Sequence, residues 1–168
     1  MSQYFTLFQL EPAFDIDAES LEQTYRALAA RFHPDKFASS SAFEQKQAVM
    51  MSSTINDAYR TLRNPIDRAA YLLKTLGIDA DAPEHTSFAP EFLMQQMEWR
   101  ETLMDAQMAQ NNEALRALDQ EISREQDKLY QDLRTAFAGK YHETAAQWVR
   151  HGRFLNKLRN EIAAALQD

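Results

Sequence analysis

The stretch Tyr25-Arg26-Ala27-Leu28-Ala29-Ala30-Arg31-Phe32-His33-Pro34-Asp35-Lys36 decides how the first half of this chain folds. Leu21, Tyr25, Leu28 and Phe32 recur at helical spacing and give one apolar stripe. Asp17 stands where a helix N-cap is needed, with Glu19 and Glu22 suited to the positive end of the helix. Pro34 stops the helix, because the residue before a proline disfavours the α region. A loop of small polar residues follows, Ala38-Ser39-Ser40-Ser41, and a second long helix is predicted from about Ala42 to Arg63. Its inward candidates are Val49, Met51, Ile55, Ala58, Tyr59 and Leu62. Two antiparallel helices joined by His33-Pro34-Asp35-Lys36 make a hairpin with a charged tip.

Short elements flank the hairpin. Tyr4, Phe5, Leu7 and Phe8 predict one or two helical turns that end at Pro12. Asn64-Pro65 opens another helix, with Asn as cap, Pro at the first helical position and Asp67 reaching back. Gly77 to Pro90 carries Gly, two Pro and several Asp, Ser and Thr, and is expected to be a linker. Three helical patterns follow from Glu91, with breaks near Gln110-Asn111-Asn112 and Gly139. The second carries Leu115, Leu118, Ile122, Leu129, Leu133 and Phe137, and the third Trp148, Leu155, Leu158, Ile162 and Leu166. Short connections between long helices imply antiparallel neighbours. The expected fold is all-α: residues 1–75 form a helical hairpin with flanking short helices, 76–90 a linker, and 91–168 a three-helix bundle.

Composition narrows the function. The 168 residues are 45% hydrophobic and 26% charged, with three Gly and no Cys. Thiolate chemistry, disulfides and cysteine-held metal or iron–sulfur clusters are excluded. The net charge is −7, of which residues 1–75 hold eight Lys/Arg against nine Asp/Glu and residues 76–168 ten against sixteen. An acidic chain is a poor ligand for a phosphate backbone, so nucleic acid is not an expected partner. Met1 to Leu10 shows no basic segment followed by an apolar run, and no apolar stretch reaches spanning length. A cytoplasmic location without membrane contact is expected. No cofactor, no resident metal and no enzymatic activity are expected, since neither half shows a nucleophile–base pair or a phosphate-cradling Gly loop. A metal site on His33 and Asp35 lacks a third ligand at helical spacing.

With Phe92 set to zero and about 100° per residue, Phe92, Trp99, Leu103 and Ala106 fall within about 40° of one another, an ordinary core stripe. Leu93, Met94, Met97, Met104 and Met108 fall on a second face, edged by Glu98, Glu101 and Asp105. A bundle helix needs only one wide stripe. The surplus is either an adaptable docking surface, as methionine-rich faces are, or a set of side chains that fill irregular core space or pack against the N-terminal half of the chain. Phe154 sits about 100° off the stripe of its own helix in the same way.

Residues 3–75 resemble the J-domain family. The resemblance lies in Tyr25-Arg26-Ala27-Leu28-Ala29-Ala30-Arg31-Phe32-His33-Pro34-Asp35-Lys36 together with Ile55-Asn56-Asp57-Ala58-Tyr59. It implies that His33, Pro34 and Asp35, with Arg26, Arg31 and Lys36, dock on a heat-shock-type chaperone and trigger its ATP hydrolysis. Ala27, Ala29 and Ala30 leave this helix less basic than in many J-domains, which implies weaker electrostatic steering or a narrower choice of chaperone. Three further stretches, Phe92-Leu93-Met94-Gln95-Gln96-Met97-Glu98-Trp99-Arg100-Glu101, Arg153-Phe154-Leu155-Asn156-Lys157-Leu158 and Arg68-Ala69-Ala70-Tyr71-Leu72-Leu73, are similar to the HscB family. That resemblance covers essentially the whole chain. It implies a co-chaperone that serves an HscA- or DnaK-type chaperone and holds the iron–sulfur scaffold protein, IscU in type, through Leu93, Met94, Met97, Glu98, Glu101, Asp105 and Phe154. Asp105 is shorter than the glutamate common there, and Met97 stands where leucine is frequent, so scaffold affinity can differ from that of other members. The rival expectation is a general J-protein that delivers unfolded clients to DnaK.

Overall fold

The computed structural model describes residues 2–82 and 88–166, and every regular element among them is helical. In order they are α1 (Gln3–Leu7), α2 (Ala18–Arg31), a 3₁₀ turn (Pro34–Phe37), α3 (Ala42–Arg63), α4 (Pro65–Thr75), α5 (Pro90–Met108), α6 (Asn112–Ala138) and α7 (His142–Ala165). The chain divides into two compact units, Met1–Gly77 and Ile78–Asp168. Of the stretch 76–90 expected as a linker, Pro83 to Ser87 lie outside the described residues, while Leu76 and Gly77 close α4, Gly77 at φ 81°.

In the first unit α2 and α3 pair, and α1 and α4 pack against α3. The helix starts follow local capping chemistry. Asp17 accepts from the amides of Glu19 and Ser20, Ser41 from that of Glu44, and Asn64 from those of Ile66 and Asp67. Phe5, Phe8, Leu21, Ile55, Leu62, Ile66 and Leu73 form the core. One buried cation bolts it together. The Arg68 guanidinium lies over the Phe14 ring and donates to the Phe14 carbonyl at 2.5 Å and the Leu62 carbonyl at 2.6 Å. Leu62 belongs to the last turn of α3, where carbonyls have no helical partner, so Arg68 satisfies an otherwise orphaned acceptor.

Two expectations for this unit need correction. Val49 is 54% exposed and Met51 and Tyr59 only half-buried; Ala48 takes the inward position with Ile55, Ala58 and Leu62. Ile55 and Leu62 set the phase of the stripe, and one heptad back from Ile55 is Ala48, not its more apolar neighbour. Pro12 does not end α1. The helix closes earlier, on Gln9 at φ 58° with the Leu10 amide bonded to the Phe5 carbonyl. The same closure recurs at α5, where Gln110 has φ 51° and the Asn111 amide bonds to the Ala106 carbonyl. It recurs again at α6, with Lys140 at φ 60° and the Tyr141 amide bonded to Ala136. These are Schellman-type ends with Gln or Lys in the position that usually takes glycine. Gly139 is itself right-handed, and its missing Cβ makes room for the Tyr141 ring, which a Cβ there would meet at 2.4 Å.

In the second unit α6 pairs extensively with α7, and α5 lies against α6. Trp99, Leu103 and Ala106 of α5, Leu115, Leu118, Ile122, Leu129 and Leu133 of α6 and Leu155, Leu158 and Ile162 of α7 are all buried in the core. Trp148 and Leu166, expected on the α7 stripe, are half-buried, and Ala145, Ala146, Val149 and Gly152 complete it. Small residues there let α7 approach α6 closely. Across that seam Gln126 bonds Asn156 at 2.7 Å, and Arg159 makes a two-pronged bond to Asp119 at 2.9 and 3.0 Å.

Candidate functional site

The first candidate surface is the tip of the α2–α3 hairpin. α2 ends at Arg31, and the Phe32 amide closes its last turn on Leu28. His33 is extended (φ −62°, ψ 132°), as a residue before proline should be. Its Nδ1 accepts from the Asp35 amide at 3.2 Å, so the imidazole caps the 3₁₀ turn that Pro34 opens. With Nδ1 an acceptor, the neutral ring carries its proton on Nε2, the other nitrogen. Asp35 has a side chain 92% exposed, its carboxylate 3.7 Å from His33 Nδ1. The Gln45 side chain donates to the carbonyls of Phe37 and Ala38, both at 3.1 Å, and ties the turn to α3.

The motif on α3 is a brace. Asn56 accepts from the Tyr25 hydroxyl at 2.8 Å, and Tyr59 stacks on the Tyr25 ring at 4.0 Å between centroids. The two arms are thus held in register behind the tip. Lys36, Arg26 and Arg31 are all exposed, but not equally available. Arg26 is bonded to Glu22 one turn back at 2.8 Å, while the Arg31 guanidinium lies over the Phe32 ring.

The second candidate surface is the outer face of α5. Leu93, Met94, Met97, Met104 and Met108 are exposed, Met97 by 71% and Met108 by 83%. The helix buries one stripe and leaves the other uncovered, so the alternative that these methionines fill interior space falls. A groove of about 430 Å³ runs along the face, lined by Gln96, Met97, Arg100, Glu101, Met104, Asp105 and Phe154. It gathers Met97, Glu101 and Asp105 from α5 and Phe154 from α7. Leu93, Met94 and Glu98 lie on exposed α5 outside the lining.

Phe154 is half-buried at the edge of an aromatic cluster. Its ring meets Phe92 edge-on at 5.9 Å and Trp99 nearly parallel at 6.4 Å. In the same cluster His151 stacks flat on Phe92 at 3.7 Å, and burial, then the charge of Arg150, pull its pKa down from 6.5 to about 4. The Arg100 guanidinium covers Phe154 at 5.5 Å and hydrogen-bonds the Glu161 carboxylate. Sequence reasoning does not single out Arg100 or Glu161. Their spacing carries no signal, because they meet only when α5 packs beside α7.

A helical hairpin with an exposed His-Pro-Asp tip, on a chain with a separate three-helix bundle, defines a J-domain protein of two helical units. Residues 3–71 match the DnaJ domain, and residues 88–163 match the family described as the HSCB C-terminal oligomerisation domain. The chain is 77% identical to the co-chaperone protein HscB homolog of Neisseria meningitidis serogroup B, over 99% of this chain and 100% of that one. It is 43% identical to the homolog of Bordetella avium, over 96% and 95%. Among solved structures it is similar to chaperone HscB from Vibrio cholerae, with TM-score 0.84 and 38% identity over 96% of this chain and 95% of that one. Human co-chaperone protein HscB superposes with TM-score 0.88 at 29% identity, over 96% and 80%. The chain belongs to the HscB co-chaperone family. No described helix is long and apolar enough to cross a membrane.

Proposed function

We propose that this co-chaperone stimulates the ATPase of a specialised DnaK/HscA-type chaperone and delivers an IscU-type scaffold protein to it during iron–sulfur cluster assembly in the cytoplasm. Residues 1–75 engage the chaperone through His33, Pro34 and Asp35, with Lys36, Arg26 and Arg31 around them. Residues 91–168 hold the scaffold through Leu93, Met94, Met97, Glu98, Glu101, Asp105 and Phe154. Carrying both sites on one chain keeps both partners on one molecule, which raises the concentration of one near the other. Hydrolysis takes place in the chaperone, and this chain contributes contacts and no bond-making.

The observation that carries the reading is the uncovered methionine face of α5, on a helix whose core stripe is already filled. Exposed apolar side chains in contiguity cost solubility and are retained where something covers them. On the chaperone side, His33 Nε2–H and the Asp35 carboxylate offer a donor and an acceptor whose backbone is fixed by the 3₁₀ turn. The Arg26–Glu22 pair leaves Arg31 and Lys36 as the main steering charges.

The test has two arms. Steady-state ATP turnover of the chaperone is measured with this protein and with His33→Gln, and equal stimulation by both removes the role of the tip. Scaffold binding is measured by titration with the purified scaffold protein. A general J-protein would use the adaptable methionines for many unfolded segments. Capture of a broad client range without the scaffold would favour that reading.

A further inference from the structure

We infer that Arg100 and Glu161 are positioning residues for the scaffold-binding face: together they lock the Phe154 ring in the orientation that the groove presents. This rests on the scaffold-binding reading and goes beyond it, since neither residue belongs to the proposed contact set.

Phe154 has neighbours on three sides. Phe92 meets its edge and Trp99 lies near-parallel to it, both from the core side. The guanidinium of Arg100 closes the third, at 5.5 Å from the ring centroid. A cation over an aromatic face is attracted to the ring quadrupole, and arginine's planar group also packs flat. Glu161 fixes that guanidinium from two helical turns beyond Phe154 on the same face of α7. Arg100 thus ties α5 to α7 over the aromatic ring, and its side chain lines the same groove as Met97, Glu101 and Asp105.

The ion pair is only partly covered, each side chain being 36% exposed, so its role in overall stability is small. Its effect falls on pre-organisation. A ring already held in one place has less freedom to lose when a partner closes over it. The pairing has a second consequence. Arg100 directs its charge to Glu161, which leaves Glu101 and Asp105 to set the sign of the groove, and an apolar partner surface edged with basic side chains fits it.

The experiment titrates the purified, cluster-free scaffold protein into Arg100→Met and Glu161→Gln, each in the native chain and in the Phe154→Ala background. In the native background each substitution is expected to weaken binding about two- to tenfold, the size of immobilising one rotamer-rich side chain. In the Phe154→Ala background the further loss should stay under about twofold, because the residue acted upon is gone. Glu161→Gln is nearly isosteric, and melting temperatures unchanged beside a lost affinity separate positioning from folding. Full affinity in both variants, or an equal loss in both backgrounds, overturns the inference. If Phe154→Ala alone binds the scaffold normally, it is the scaffold-binding reading that fails.

Discussion

The hairpin tip and the outer face of α5 are both exposed, yet they are built on opposite principles. The tip consists of consecutive residues that bond to one another: His33 caps the turn, Pro34 opens it, and Asp35 supplies both the amide that His33 accepts and an exposed carboxylate. Its geometry is set mainly by bonds within a few residues, with the Gln45 side chain of α3 tying down the end of the turn. The α5 face is made of side chains spaced along a helix that has no further use for them in its own core. The comparison teaches that a polar site can be specified by local backbone bonds, whereas an apolar site is defined by what fails to cover it. A polar tip tolerates water because its groups stay hydrogen-bonded, while an apolar face stays dry only when a partner seals it.

The contrast can be broken experimentally, starting with the largest expected effect. Leu158→Ala, in the second unit's core, should cost about 2–5 kcal/mol of stability, whereas Met97→Ala should cost less than about 0.5. The only two tryptophans, Trp99 and Trp148, both lie in that unit, so denaturant titration followed by their fluorescence reads it selectively. A comparable loss for both substitutions would place Met97 in the core. Arg68→Met should cost the first unit about 2–4 kcal/mol, because two buried carbonyls lose a charged donor. His33→Gln should leave the melting curve unchanged while ATPase stimulation is lost. Circular dichroism melts of the two variants check this, and they distinguish residues that support the tip from those that form it.

A smaller effect is expected on binding. Met97→Ala or Phe154→Ala should weaken scaffold affinity by about 1–3 kcal/mol by calorimetric titration. Stimulation of the chaperone in the absence of scaffold should be unaffected. The smallest effect concerns acid. The folded chain keeps His151 neutral down to about pH 4, while the unfolded chain protonates it below about 6.5. Stability from this group is therefore complete above about pH 6.5 and is lost as pH falls toward 4. With the half-buried ring screened by solvent, the loss is about 1–2 kcal/mol. His151→Phe should flatten that part of the stability–pH profile, measured by tryptophan fluorescence.

Much of the site is legible in the sequence. The division of α5 into a core stripe and a second, methionine-rich face follows from helical geometry alone: Trp99, Leu103 and Ala106 are buried, while Phe92, placed on the same stripe, is half-buried. What the pattern leaves open is whether another segment lies over that face. Val49 is a false inward candidate because hydrophobicity ranks it above Ala48, although the neighbours of α3 select by phase and size. The breaks near Gln110 and Gly139 are legible, but which residue turns left-handed to close each helix (Gln9, Gln110 and Lys140) is not, because closures by non-glycine residues leave no compositional signal.

By itself the sequence determined the helix starts at Asp17 and Asn64 and near Ala42, the break before Pro34 and the chemistry of the tip. Each of these depends on bonds between residues no more than a few positions apart. Only the tertiary structure decided that Arg68 is buried against Phe14, 54 residues away, and that Arg100 meets Glu161 across 61. It likewise decided that nothing in the described bundle closes over Met97. The physical reason is range: capping and backbone stereochemistry act within one helical turn, whereas covering or uncovering an apolar side chain depends on which distant helix packs beside it.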